Sequence, residues 1–311
     1  METISPWLLL VISVLACLLG GIARTYFCKS LVTSTRSYYL YNGANSAVCA
    51  LALWLLGGGG ALQLSAFSLW FGVLFGLVTM AQGITYSAAL HCGPWSYTSV
   101  ISSLSTIIPA ISGALFWHES ISFLQIFGIL LMLVCFVLSV DPGKDEGRAA
   151  SLRWLVLCMV AFVFSGAIGV MQKVHQTSVY KQELSGFLIV AFLASAAVSL
   201  LVCLFYPRAR QAEAAPATPA ADTGKAGRST GRTVWLVLVL FVIGGVTAAL
   251  NNQFNLYLSG VMPSAVFFPI VNGGGLVLST AASVLLFREK LSVRQWIGLA
   301  MGTVSVLMLC M

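Results

Sequence analysis

Apolar residues run along this chain in ten long stretches separated by polar breaks: 6–24, 37–56, 66–90, 94–116, 121–140, 152–173, 184–205, 233–257, 263–287 and 291–310. Each is close to the about 20 residues that an α-helix needs to cross a bilayer. Backbone polar groups in lipid must be satisfied within the segment, so the pattern predicts ten membrane helices. All eight tryptophans (Trp7, Trp54, Trp70, Trp95, Trp117, Trp154, Trp235 and Trp296) fall near segment ends. Amphipathic rings favour that level of the membrane. Two longer hydrophilic breaks interrupt the series. Residues 141–151, DPGKDEGRAAS, form a mixed-charge linker with a Pro-Gly turn, and the Ala/Pro/Gly-rich stretch at about 206–232 predicts a disordered loop. The first stretch has neither a basic n-region nor a small-residue cleavage pattern, so it reads as a retained span.

Composition names the solvent. Of the 311 residues, 59% are hydrophobic and 8% charged, with a mean hydropathy of +0.95. A soluble domain carries about 25% charge. Most of this chain therefore faces lipid, and the expected fold class is an all-α, multi-pass integral protein of the plasma membrane. The net charge of +7 sits in short segments between spans, with no basic stripe interleaved with aromatics, which argues against a nucleic-acid partner. Fourteen Lys and Arg residues follow odd-numbered spans, against Lys173 and Lys181 on the other side, a bias that places both termini outside. The eight cysteines are scattered, with no CxxC and no Cys/His cluster. They read as small buried hydrophobes, and neither a metal site, a cofactor nor a disulfide framework is expected.

The two halves resemble each other. A shift of 170 residues lays ESISFLQIFG (119–128) on EKLSVRQWIG (289–298), matching Glu119, Ser122, Gln125 and Gly128 with Glu289, Ser292, Gln295 and Gly298. The same shift sets Gln82 on Asn252, Thr85 on Asn255 and Ser102 on Asn272. A weaker match at a shift of 146 pairs Gly20 and Ile22 with Gly166 and Ile168. The domain organisation that follows is a first five-helix repeat at 1–140, a linker at 141–151 and a second five-helix repeat at 152–311. An odd number of spans per half makes the second enter the membrane from the opposite side, so the expected fold is two inverted five-helix repeats. Folds of that kind form a solute site near the midplane and alternate its access.

The runs FWHESIS (116–122), FFPIVNGGG (267–275), LLFREKLS (285–292) and WIGLAMGTVSVL resemble the drug/metabolite transporter superfamily, in particular its EamA family of ten-span carriers. The resemblance covers nearly the whole chain and implies transport of a small molecule without naming the cargo. It also implies cytoplasmic termini, against the charge count. The related small multidrug resistance proteins use a Glu in their first span; the first span here, WLLLVISVLACLLGGIAR, has none.

The nine acidic residues map to loops or helix ends, so a proton or cation site at membrane depth is not expected. Neutral polar side chains remain at depth, and an amide facing lipid is costly. Gln82, Thr85 and Tyr86 in the third span, Ser102 in the fourth, Asn251, Asn252 and Asn255 in the eighth and Asn272 in the ninth are therefore the expected substrate-binding residues. The competing role for each is interhelical glue at roughly 0.6 kcal/mol per bond. Pro109 and Pro269 each free a carbonyl and permit kinks in the fourth and ninth spans, while Glu119 and Glu289 are expected to cap or pair at helix ends. Gly72/Gly76 and Gly298/Gly302 have GxxxG spacing, which suits packing inside the bundle and would also suit a homodimer. The three histidines, His91, His118 and His175, read as ordinary interfacial residues.

These features favour a secondary carrier for a small polar or amphipathic metabolite, such as an amino acid, with a small multidrug-type exporter as the alternative within the same superfamily. No enzymatic activity is expected, because no paired acid, Ser/His dyad or metal-ligand set is seen at depth. An intramembrane enzyme would turn over a lipid or peptide in detergent. A channel would show flux without saturation, and a scaffold no flux.

Overall fold

Lipid is as apolar as leucine, so helices in a membrane pack through small and polar residues and turn large apolar ones outward. The computed structural model buries many serines and turns many large apolar residues outward, alongside a buried core of Phe and Leu; it describes residues 5–30, 35–60, 62, 64–92, 95–138, 152–205, 230–287, 292–309 and 311. Among the described residues there is no strand. The helices are α1 (Pro6–Ser30), α2 (Thr35–Leu56), α3 (Ala66–Cys92), α4 (Trp95–Leu104), α5 (Ile107–Phe116), α6 (Phe123–Leu138), α7 (Leu152–Thr177), α8 (Leu184–Phe205), α9 (Thr230–Val261), α10 (Ser264–Phe287) and α11 (Val293–Leu309). Phe123, Trp70 and Phe205 are 93%, 72% and 81% exposed, whereas Ser13, Ser199 and Ser305 are fully buried. A water-soluble fold would invert that order.

Among the described residues five helices are long and apolar enough to cross a membrane: Pro6–Ala23, Ala66–Tyr86, Leu152–Thr177, Lys181–Phe205 and Trp235–Val261. They mark the chain as a membrane protein. Shorter apolar helices cover Ile101–Phe116, Phe123–Cys135 and Val293–Leu309.

The fourth predicted span is not one helix. It breaks at Ser105–Thr106, between α4 and α5. Pro109 has no N–H, so the Ser105 carbonyl cannot receive an ordinary helical bond from it. That carbonyl instead accepts the Ile108 N–H at 3.1 Å, and the Ser105 and Thr106 N–H groups turn back to Ser102 and Ser103. The Ser105 hydroxyl reaches across to Ser165 of α7 at 2.9 Å. Pro269 has a milder effect and lies inside a continuous α10. The linker at 141–151 and Glu289 lie outside the described residues, as does most of the loop from 206; its last residues are helical, because α9 already begins at Thr230.

By compactness the chain forms two units that cut across the sequence halves. The first comprises Met1–Leu18, Val78–Leu184 and Asn251–Met311, the second Leu19–Leu77 and Ser185–Leu250. A repeat is a relation of sequence and topology, whereas a unit is a relation of packing, so the two divisions answer different questions.

Within the second unit, α2 and α8 meet along a polar seam: Asn42 donates to Ser199 at 2.9 Å and Ser46 pairs with Ser195 at 3.3 Å. Phe27, Tyr41 and Phe241 close a triangle of rings, with centroids 4.4 to 5.7 Å apart. Gly72 and Gly76 bring α3 onto the backbone of α8 at Phe187 and Ala191, so this GxxxG spacing serves packing within the chain.

In the first unit α6 and α11 lie antiparallel and in reciprocal contact. Gly128, near the start of α6, faces Leu309 at the end of α11, while Gly298, near the start of α11, faces Leu138 at the end of α6. The Ser305 hydroxyl donates to the Gly128 carbonyl at 2.6 Å. Both helices start with the same device. The Ser122 N–H donates to the Gln125 side chain at 3.1 Å while the Gln125 N–H donates to the Ser122 hydroxyl at 3.2 Å. The Ser292 and Gln295 bonds repeat this at 3.1 and 3.3 Å. Each is a capping box, in which serine and glutamine satisfy each other's orphan N–H. The spacing shared by the two halves is thus a pair of helix starts.

Candidate functional site

The eight predicted substrate-binding residues all fall within the first unit. Gln82, Tyr86 and Ser102 are half-buried. Thr85 is half-buried too, but its hydroxyl donates to the Ala81 and Gln82 carbonyls of its own helix at 2.8 and 3.1 Å. A hydroxyl bonded back to its helix makes that residue acceptable at membrane depth without any ligand. Asn272 is exposed, and its amide donates to the Phe268 carbonyl one turn earlier at 3.1 Å. Beside it Gly273 is packed on Met132, whereas a side chain at Gly275 would meet nothing within 4 Å. The face of α10 carrying Asn272 and Gly275 is therefore open, while the face carrying Gly273 is closed by α6.

Two asparagines of α9 join a serine of α1. Ser13 Oγ of α1 donates to Asn255 Oδ1 at 2.6 Å, Asn255 Nδ2 donates to Asn251 Oδ1 at 3.2 Å, and Asn251 Nδ2 donates to Ser13 Oγ at 3.1 Å and to the Ser13 carbonyl at 3.0 Å. The three side chains form a closed ring in which every member both donates and accepts. Such a ring satisfies its polar groups internally and clamps two helices together. Asn252, one residue on from Asn251, is half-buried.

A charged centre lies at the other end of α9, and only one of its members was expected there. Lys173 is buried in α7, with Nζ 2.5 Å from Glu119 Oε1. It also donates to the carbonyl of Met262, just past the end of α9, at 3.3 Å. The other carboxylate oxygen, Oε2, accepts the N–H of Ser264 at the start of α10 at 2.7 Å. A cation thus sits at the negative end of one helix and an anion at the positive end of the next, the arrangement favoured by both helix dipoles. Glu119 reaches this place from a bend at His118, which has φ 51°, and Trp117 beside it donates to Thr177 Oγ1 at 3.0 Å. Lys173 is therefore not a loop residue, and its place in the charge count falls away. His175, expected as an interfacial residue, is fully buried and pairs with Gln176 at 3.1 Å.

Ser13, Lys173, His175 and Ser264 were not singled out as site residues. A lysine retained near the end of an apolar helix was the one available signal; the partner that allows its burial, Glu119, belongs to a distant loop. Lone serines in apolar runs carry no signal, because a serine can bond to its own helix.

No family model matches the sequence and no curated protein matches it. Among solved structures, one described as "Crystal structure of protein" superposes with a TM-score of 0.71 at 14% identity, covering 97% of this chain and 98% of that chain. At that identity the likeness is one of fold alone.

Proposed function

We propose that this membrane protein is a multi-pass secondary carrier of the plasma membrane, built from two inverted five-helix repeats of the EamA type, and that it moves small polar or amphipathic metabolites by alternating access. The reading rests on the α6–α11 pair. Residues 170 apart in sequence form the same capping box, and the two helices so started pack antiparallel with each early glycine on the other's end. Reciprocity of this kind is what a pseudo-twofold axis in the membrane plane produces, and inverted repeats are the usual construction of such carriers. The break at Ser105–Thr106 adds to it, since interrupted helices at depth are a common feature of transporter sites. Asn251 and Asn255 are engaged in their ring, and Gln82, Tyr86, Ser102, Asn252 and Asn272 are the residues proposed to line the solute path. The test is uptake and counterflow in proteoliposomes against a metabolite library. Saturable flux is expected, and it is lost in Asn252→Leu and Asn272→Leu although both variants insert. Normal flux in both would reject the site, and absence of counterflow with every solute would reject the carrier.

A further inference from the structure

Glu119 holds its cation with more oxygen than an ion pair requires. The Lys173 ammonium is bound by Glu119 Oε1 and by the Met262 carbonyl, an oxygen at the C-terminal end of α9. Ser264 stands next to them, its hydroxyl fully buried and without a hydrogen-bond partner. Ser264 and Glu119 Oε2 lean over the same bare point of α5, the place where Gly113 lacks a Cβ. A carboxylate, a helix-end carbonyl and an unpartnered hydroxyl are hard oxygen donors, the set that binds small alkali and alkaline-earth cations. Helix ends at an interrupted span are where membrane carriers place such ions.

We infer that the junction of α9 and α10 is a site for a small monovalent cation which the chain fills with its own Lys173 ammonium. Charge selects the valence. Glu119 contributes one negative charge and Lys173 cancels it, so with the lysine head removed a single positive charge restores neutrality and a double one overshoots. A buried carboxylate left unpaired is strongly unfavourable, which supplies the drive for an ion to enter. Ser264 fits the same reading: its buried hydroxyl shares the Gly113 position with Glu119 Oε2 and has no hydrogen-bond partner while the lysine fills the site. For transport the consequence, which rests on the carrier reading, is flux that does not depend on sodium or lithium. The site itself does not need that reading.

The experiment measures thermal unfolding of the purified full-length protein in detergent, with NaCl, LiCl or KCl exchanged against choline chloride at constant ionic strength. Lys173→Ala and Lys173→Ser are expected to have a lowered Tm in choline and a saturable rise of about 5 °C with sodium or lithium. The serine variant, which adds a hydroxyl donor, should half-saturate at lower salt. Wild type should not respond, and neither should Glu119→Gln combined with Lys173→Ala, where no charge calls for an ion. Equal responses in all four proteins, or none in the single variants, would overturn the site. So would failure of both single variants to fold in sodium, because the added ion is meant to complete them. A flat flux assay with an intact cation response would reject the carrier reading alone.

Discussion

Lys173 Nζ lies 2.5 Å from Glu119 Oε1, and the two side chains, 6% and 13% exposed, secure the turn between α9 and α10 from opposite signs. Removing one partner of a buried pair strands the other charge, at a typical cost of about 3–5 kcal/mol. Lys173→Met, measured in choline buffer, is expected to lose stability on that scale. Adding Glu119→Gln to it should recover a substantial part, since glutamine can still accept the Ser264 N–H. Thermal or denaturant unfolding of the two variants checks this, and additive losses would contradict it.

Gly113 is the floor on which that pair rests. A Cβ there would come within 2.7 Å of Ser264 Cβ as well as meeting the Glu119 carboxylate. The carboxylate can swing aside, but Ser264 Cβ is fixed to the first turn of α10. Gly113→Ala should therefore destabilise by about 1–3 kcal/mol, the range for overpacking a close contact. A melting temperature equal to wild type would show that the α9–α10 junction is looser than its geometry.

The ring of Ser13, Asn251 and Asn255 predicts non-additive losses. Ser13→Ala removes a donor to Asn255 and an acceptor for Asn251 together, at about 1–2 kcal/mol. Asn255→Ala on that background should cost much less than it does alone. A double-mutant cycle in unfolding measures the coupling; a coupling near zero would mean that the ring does not hold α1 to α9. Flux should follow stability in these variants and not specificity.

Glycines of one sequence type should separate by what faces them. A Cβ on Gly76 meets backbone of α8, with the Ala191 carbonyl carbon at 2.9 Å and its Cα at 3.1 Å. Backbone cannot move aside as a side-chain tip can, so Gly76→Ala should cost about 1–3 kcal/mol. Gly21 faces nothing within 4 Å, and Gly21→Ala should be neutral or stabilising by up to about 1 kcal/mol, the gain of alanine over glycine in a helix. Melting temperatures of the two variants side by side make the comparison, and equal losses would reject it.

The ordering of apolar and polar residues determined by itself that the chain is helical and lives in lipid, because hydropathy and helix length act segment by segment. Most helix ends followed for the same reason, although α1 runs on to Ser30 and the fourth span breaks at Ser105–Thr106; the matched Ser–Gln spacings, 170 apart, marked a repeat, and the structure showed each to be a capping box. What required the tertiary structure was every assignment that depends on a partner far away in sequence. The neutral amides of α9 look alike in a linear reading; Asn251 and Asn255 became glue because Ser13 of α1 stands beside them. Lys173 looked like a boundary charge until Glu119 and the end of α9 surrounded it. A buried polar group takes its meaning from whatever satisfies it, and in a bundle of helices that partner is set by packing.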